Sequence, residues 1–225
     1  MINNELQNRI ISSIIIIPIA IFFVFQGSIF FSFFLSIFFL ATSYEWIKMN
    51  KKDILKVIGV FFLFFASYSA YLLREKFSLG IFILILIISI FTDLGGYIFG
   101  KTFKGPKLTK ISPKKTYAGV FGSFILSLIA AIIFTKYTNI GIIAHTDLSL
   151  RIGNNLELDN MFFLFILFIS FISQIGDLII SYFKRIAKVK DTGKLLPGHG
   201  GLLDRVDGII FAIPTSYLLF NFFIS

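Results

Sequence analysis

Cysteine is absent from the 225-residue chain. That excludes disulfides, thiolate metal sites and cysteine nucleophiles. Charge is scarce too: Asp, Glu, Lys and Arg together make up 15% of the residues, with 12 acids against 21 bases. What fills the chain is apolar, with 56% hydrophobic residues, a mean hydropathy of +0.89 and 31 phenylalanines. A soluble domain would hold about 45–50%. The excess lies in long uncharged runs, such as IISSIIIIPIAIFFVFQ after Arg9 and MFFLFILFISFISQIG before Asp177. Runs of roughly 17–25 apolar residues match the ~30 Å hydrocarbon layer of a bilayer. The composition therefore predicts an all-α integral membrane protein, one polytopic domain over residues 1–225. The first run follows Arg9 with no convincing small-residue cleavage site and reads as a retained span.

The runs predict a bundle of about seven transmembrane helices, with eight or nine as the alternatives. They fall near 10–26, 28–44, 57–73, 79–99, 117–135, 161–180 and 207–224. The triplet Gln26-Gly27-Ser28 splits the first long run into a tight hairpin. Residues 1–78 hold the N-terminal spans, and 79–225 hold the spans that carry motifs. Basic residues gather in three loops: Lys48, Lys51, Lys52 and Lys56; then Lys101, Lys104, Lys107, Lys110, Lys114 and Lys115; then Lys184, Arg185, Lys188, Lys190, Lys194 and Arg205. The loop at 136–160 sets Lys136 and Arg151 against Asp147, Glu157 and Asp159. Because cytoplasmic loops are the basic ones, seven spans with the N-terminus inside put all three basic loops in the cytoplasm. His145 then falls in the outer loop as a solvated side chain, and Glu45 and Trp46 read as interfacial residues at a span end.

Residues 95–102, GGYIFGKT, fit the phosphate-binding pattern G-x-x-x-x-G-K-[ST]. That motif works only between a strand and a helix, and no alternating βα pattern surrounds it here. Gly95 and Gly96 read better as small residues for close helix packing in lipid, or as room for a ligand beside Asp93.

The stretch richest in chemistry is GDLIISYFKRIAKVKDTGKLLPGHGGLLDRVDG, residues 176–208. Orientation accounts for its lysines, but not for Asp177, Asp191, Asp204 and Asp207 or for His199 enclosed in PGHGG. A charge near mid-bilayer costs ~2.5–3.5 kcal/mol and so marks a paired or metal-binding site. If the span continues as a helix to about residue 188, Asp177, Ser181, Lys184 and Lys188 form one polar stripe. Asp204, Asp207 and Gly208 would likewise share a helix face. Aspartate oxygens suit Mg²⁺ with substrate phosphates, Lys and Arg offset phosphate charge, and Gly198, Gly200 and Gly201 let backbone amides approach it.

The string SYFKRIAKVKDTGKLLPGHGGLLDRVD, Ser181 to Asp207, resembles the signature of the phosphatidate cytidylyltransferase (CDP-diacylglycerol synthase) family. SPKKTYAG at 112–119 is similar to that family's SPKKT segment, and TDLGGY at 92–97 to its D-x-G-A-Y segment. The three stretches stand in family order. Ala118 replaces a common Glu, Ile180 a frequent acid and Gly208 a frequent Ser.

The resemblance implies a Mg²⁺-dependent nucleotidyl transfer, CTP + phosphatidate → CDP-diacylglycerol + diphosphate, with a second cation such as K⁺ as a further cofactor. It implies a homodimer in the bacterial inner membrane with its active site facing the cytoplasm. By analogy, Asp177, Asp204 and Asp207 would hold the metal. Lys184, Arg185, Lys190 and Arg205 would offset phosphate charge, and His199 would hydrogen-bond the leaving diphosphate. Lys114, Lys115, Ser181, Asp191, Gly200, Gly201 and Asp93 would bind nucleotide or lipid. For Lys114 and Lys115 the alternative is anchoring to anionic lipid; for Asp191 and Asp207 it is ion pairing that orients Arg or Lys. An isoprenoid or ether-linked lipid acceptor is the other enzymatic reading. A transporter would show duplicated halves, and no internal repeat is present. The D-G-x-x-A-R motif of phosphotransferases that use CDP-diacylglycerol is absent.

Overall fold

The computed structural model describes residues 4–109, 111–138, 160–195, 198 and 200–224. Among them, seven α-helices follow in order: α1 Asn4–Gln26, α2 Ser28–Met49, α3 Asp53–Leu72, α4 Leu79–Phe103, α5 Tyr117–Thr138, α6 Asn160–Ile186 and α7 Ile209–Ile224. A π turn, Leu73–Phe77, extends α3, and a 3-10 turn, Leu203–Arg205, precedes α7. Each α-helix overlies one of the apolar runs. Five of them (α2, α3 with its π turn, α4, α5 and α6) are long and apolar enough to cross a membrane. The other two contribute shorter apolar stretches, Ile16–Gln26 and Ile209–Phe222, so among the described residues length and composition support five of the seven expected spans. No strand occurs among the described residues, only an isolated bridge between Lys107 and Thr116.

The chain gathers into two compact units. One comprises Met1–Leu79 with Ile180–Asp207, the other Gly80–Ile179 with Gly208–Ser225. The signature residues up to Asp207 pack with the N-terminal helices in the first of these units.

In the first unit, Gly27 has φ 67° and ends α1, as the hairpin reading expects. Helix C-termini leave carbonyls without intrahelical donors. Arg74 supplies them here, donating from Nε to Val24 O at 3.0 Å and from Nη2 to Phe25 O at 3.2 Å. Its neighbour Glu75 accepts from Ser28 N at 3.0 Å, at the start of α2, and pairs with Arg74 itself. Trp46 donates from Nε1 to Leu55 O at 2.8 Å and stands edge-on to Phe183 at 5.0 Å. Trp46 is 6% exposed and Glu45 1% exposed, so both belong to the interior and not to a membrane interface.

In the second unit, α4 is an unbroken helix through GGYIFGKT, which removes the P-loop reading. Its glycines do what the packing alternative requires. A Cβ on Gly95 would strike the backbone of Gly122, and one on Gly119 would come within 2.8 Å of Gly96 O. Such close approach lets short polar side chains bond across helices. Ser123 Oγ donates to Thr92 O at 2.7 Å, and Thr92 Oγ1 to Ser170 Oγ at 2.8 Å.

Candidate functional site

The second unit holds a cavity of about 260 Å³ lined by Asp93 of α4, Lys114 and Lys115 of the SPKKT turn, and Gln174 and Asp177 of α6. The turn is built by its own backbone. Lys115 N donates to Ser112 O at 3.0 Å, and Leu108 N to Lys115 O at 2.8 Å. Thr116 then caps α5, its Oγ1 accepting from Gly119 N at 3.1 Å, as N-cap threonines do. So placed, Lys115 Nζ reaches Asp177 Oδ2 at 2.6 Å and Gln174 O at 3.4 Å. The structure thus assembles four residues that sequence reasoning had singled out from three separate segments. Gln174 was missed. Its Nε2 is buried with no hydrogen-bond partner among the described residues, and its position one turn before Asp177 was the available signal.

In the first unit, the signature closes on Asp204. Lys184 Nζ donates to Asp204 Oδ1 at 2.8 Å. Oδ2 accepts from Thr192 N at 2.8 Å, Thr192 Oγ1 at 3.0 Å and Gly201 N at 3.1 Å. Behind this network lies Glu45 of α2, which accepts from Leu202 N at 3.0 Å and Leu203 N at 2.9 Å and shares the single Thr192 hydroxyl proton with Asp204, its Oε2 lying 3.2 Å from Thr192 Oγ1. Gly200 has φ 89°, a backbone region that favours glycine. Gly201 is packed so closely that a Cβ would overlap Thr192 Oγ1 and lie 2.8 Å from Glu45 Oε2.

Ser181 is buried, while Arg185, Lys190, Asp191 and Arg205 are exposed. Asp207 is buried just ahead of α7. His199 and His145 lie outside the described residues.

Two helical stripes need correction. Helix α6 ends at Ile186 in a Schellman motif, with Val189 N bonding Lys184 O at 3.0 Å and Lys188 N bonding Arg185 O at 3.1 Å. Lys188 takes the left-handed position, φ 58°, so it leaves the stripe of Asp177, Ser181 and Lys184. Asp204 sits in the 3-10 turn and α7 starts only at Ile209, so Asp204, Asp207 and Gly208 share no α-helical face. The departures from the family pattern also find reasons. Ile180 is 3% exposed, a setting that favours an apolar side chain over an acid. At Gly208 any Cβ would overlap Ser173 Oγ.

The donor sets differ in what they can hold. Asp204 already receives four donors, so a cation there would have to displace Lys184 or a backbone amide. Asp93 and Asp177 present carboxylates to an open cavity, which fits an ion that binds through one or two carboxylates and takes its other ligands from water and phosphate. No group of three or more His, Asp or Glu side chains suited to a metal occurs among the described residues.

Residues 53–223 match the model of the cytidylyltransferase family. The chain belongs to that family. Among curated relatives, a phosphatidate cytidylyltransferase of Rickettsia felis is 31% identical over 216 residues, covering 94% of this chain and 90% of the relative. One of Haemophilus influenzae is 34% identical over 148 residues, covering 64% of this chain and 47% of the relative. One of Staphylococcus epidermidis is 37% identical over 129 residues, covering 57% and 44%. The chain thus spans about half the length of the last two relatives. This cytidylyltransferase-family chain keeps its three motif segments inside the matched region.

Proposed function

We propose that the chain transfers cytidylyl from CTP to phosphatidate, giving CDP-diacylglycerol and diphosphate. The observation that carries this reading is the cavity where Asp93 and Asp177 meet Lys114 and Lys115. The relatives named as phosphatidate cytidylyltransferases point the same way.

The phosphomonoester of phosphatidate, with a second pKa of about 6, is largely dianionic near pH 7 and needs no base to become a nucleophile. One of its oxygens attacks the α-phosphorus of CTP. A new P–O bond forms, the bond to the β-phosphate bridge breaks, and diphosphate leaves with that electron pair. The barrier is repulsion between polyanions, so the protein's task is charge neutralisation and in-line positioning. Lys114 and Lys115 serve the phosphates. Lys184 and Asp204 shape the signature loop, whose Gly200-Gly201 backbone approaches the nucleotide. By analogy with the family, Arg185, Lys190 and Arg205 would offset phosphate charge and His199 would hydrogen-bond the leaving diphosphate.

When bound, Mg²⁺ would offset charge on the CTP phosphates, and Asp177 with Asp93 is the pair that fits it. The four donors on Asp204 argue for an architectural role in place of the metal-binding one that the resemblance implies. The three basic loops support an active side that faces the cytoplasm of a bacterial inner membrane, where CTP is available. A homodimer remains part of the proposal on the family resemblance alone.

The test is incorporation of radiolabelled CTP into chloroform-soluble product by the purified protein with phosphatidate, Mg²⁺ and detergent. Label should enter lipid only when both are present, and Asp177→Asn should abolish it. A folded wild type that labels no lipid would overturn the proposal.

A further inference from the structure

The carboxylate of Glu45 has no role in the reading above, yet it is one of the most thoroughly engaged groups in the molecule. It sits near the C-terminal end of α2, 1% exposed. Its hydrogen-bond partners among the described residues belong to one distant segment: the amides of Leu202 and Leu203 and the hydroxyl of Thr192. A buried carboxylate is costly unless several donors compensate it. A helix that only needed to cross or pack would place an apolar residue here. The surrounding backbone is shaped to the same group. Gly193 and Gly201 both approach Glu45 so closely that a Cβ on either would overlap or crowd it. Thr192 donates from N to Asp204 Oδ2 at 2.8 Å, and its single hydroxyl proton is shared between Glu45 Oε2 at 3.2 Å and Asp204 Oδ2 at 3.0 Å, so one residue joins the two carboxylates.

We propose that Glu45 is a positioning residue that holds together the two ends of the signature loop, Thr192-Gly193 and Gly201 to Asp204, to receive the nucleotide phosphates. The proposal rests on the cytidylyl-transfer reading for the identity of the nucleotide. It does not rest on that reading for the clamp itself. Glu45 touches no reacting atom. It fixes the backbone of Leu202 and Leu203 on one side of the 3-10 turn, and through Thr192 it fixes the oxygen of Asp204 that receives Gly201 N. A pre-ordered loop binds a polyanion without first giving up its own conformational freedom. The kinetic signature therefore belongs to CTP and not to the lipid.

The test compares wild type with Glu45→Gln, Glu45→Asp and Thr192→Val, each read in two ways. The first reading is KM for CTP and for phosphatidate, with kcat. Losing charge-assisted hydrogen bonds should raise KM for CTP about ten- to hundredfold, leaving KM for phosphatidate unchanged. Glu45→Gln should be the milder Glu45 variant, because its amide oxygen still accepts from one backbone N–H. A purely structural residue would lower kcat with the folded fraction and leave both KM values alone, and that pattern would overturn the proposal.

The second reading needs no activity. Lys188, Lys190 and Lys194 are exposed beside the clamped segment, and tryptic cleavage there reports how often the loop opens. The variants should be cut at least several-fold faster than wild type at these sites, with cleavage elsewhere unaltered. Equal rates would refute the clamp. If wild type forms no lipid product, the activity reading falls and the proteolysis alone decides the clamp. Should Glu45→Asp fail to fold, Thr192→Val carries the same two readings with the Glu45 carboxylate intact.

Discussion

Replacing Asp204 with Asn separates an architectural carboxylate from a metal ligand. The change keeps the side chain's shape and removes its charge. Lys184 would then face a neutral amide with only 12% of its side chain exposed, beside a group that is 9% exposed in the native protein. The amide also has one acceptor where the carboxylate has two, so its NH₂ must point either at Lys184 or at the donors on Thr192 and Gly201. Breaking one side of such a buried pair costs about 3–5 kcal/mol. Lys184→Met should cost less, because three donors still compensate Asp204. The double variant should recover about 1–3 kcal/mol relative to the sum of the singles, as coupled neighbours do. Unfolding in mixed micelles titrated with dodecyl sulfate measures all four proteins. Asp204→Asn as stable as wild type but inactive would refute this reasoning and return Asp204 to the ligand set.

Three further outcomes follow from single contacts. Lys115→Met removes the ammonium 2.6 Å from Asp177 and should slow lipid labelling about ten- to hundredfold; an unchanged initial rate would take Lys115 out of the site. Arg74→Ala strips two α1 carbonyls and Glu75 of their shared donor, a loss of about 1.5–3 kcal/mol in the same micelle titration. Arg74→Lys should recover little, since an ammonium lacks the planar fork that reaches all three acceptors. Lys188→Gly should stabilise the end of α6 by about 1 kcal/mol, because a left-handed φ is free of strain only for glycine; a destabilised variant would mean that the Lys188 side chain matters more than its backbone.

The helices were legible because hydropathy is a local property. Apolar runs located every α-helix, and Gly27 marked the first break. The cavity was partly legible, since Asp93, Lys114, Lys115 and Asp177 each stood out as charges beside apolar spans. Their meeting was not visible, because it depends on how the SPKKT turn hydrogen-bonds to itself. Glu45 shows the limit most sharply. An acid next to Trp at the end of an apolar run looks like an interfacial anchor. Its partners are 147 to 158 residues away, and two of them are backbone amides. Backbone donors leave no letter in a sequence. The same blindness made Asp204 resemble a metal ligand, since two of its four donors are amides of Thr192 and Gly201.

These ion pairs also bear on how a polyanion would be admitted. Lys115 is already balanced by Asp177, and Lys184 by Asp204. A phosphate drawing on Lys115 must compete with a carboxylate 2.6 Å away, and like charges brought that close repel strongly in a partly buried setting. A divalent cation held by Asp93 and Asp177 would offset that repulsion and leave Lys115 available to phosphate. The Lys184–Asp204 pair has no such exchange open to it. Three hydrogen bonds hold the other oxygen of Asp204, and Glu45 holds the same turn from behind. One pair is therefore built to be opened and the other to stay closed. On this reasoning, metal dependence belongs to the Asp93 and Asp177 cavity, and loop order to Asp204 and Glu45. Removing Mg²⁺ should leave tryptic cleavage at Lys188, Lys190 and Lys194 unchanged while abolishing transfer. Faster cleavage at those lysines without Mg²⁺ would show that the two functions are not divided in this way.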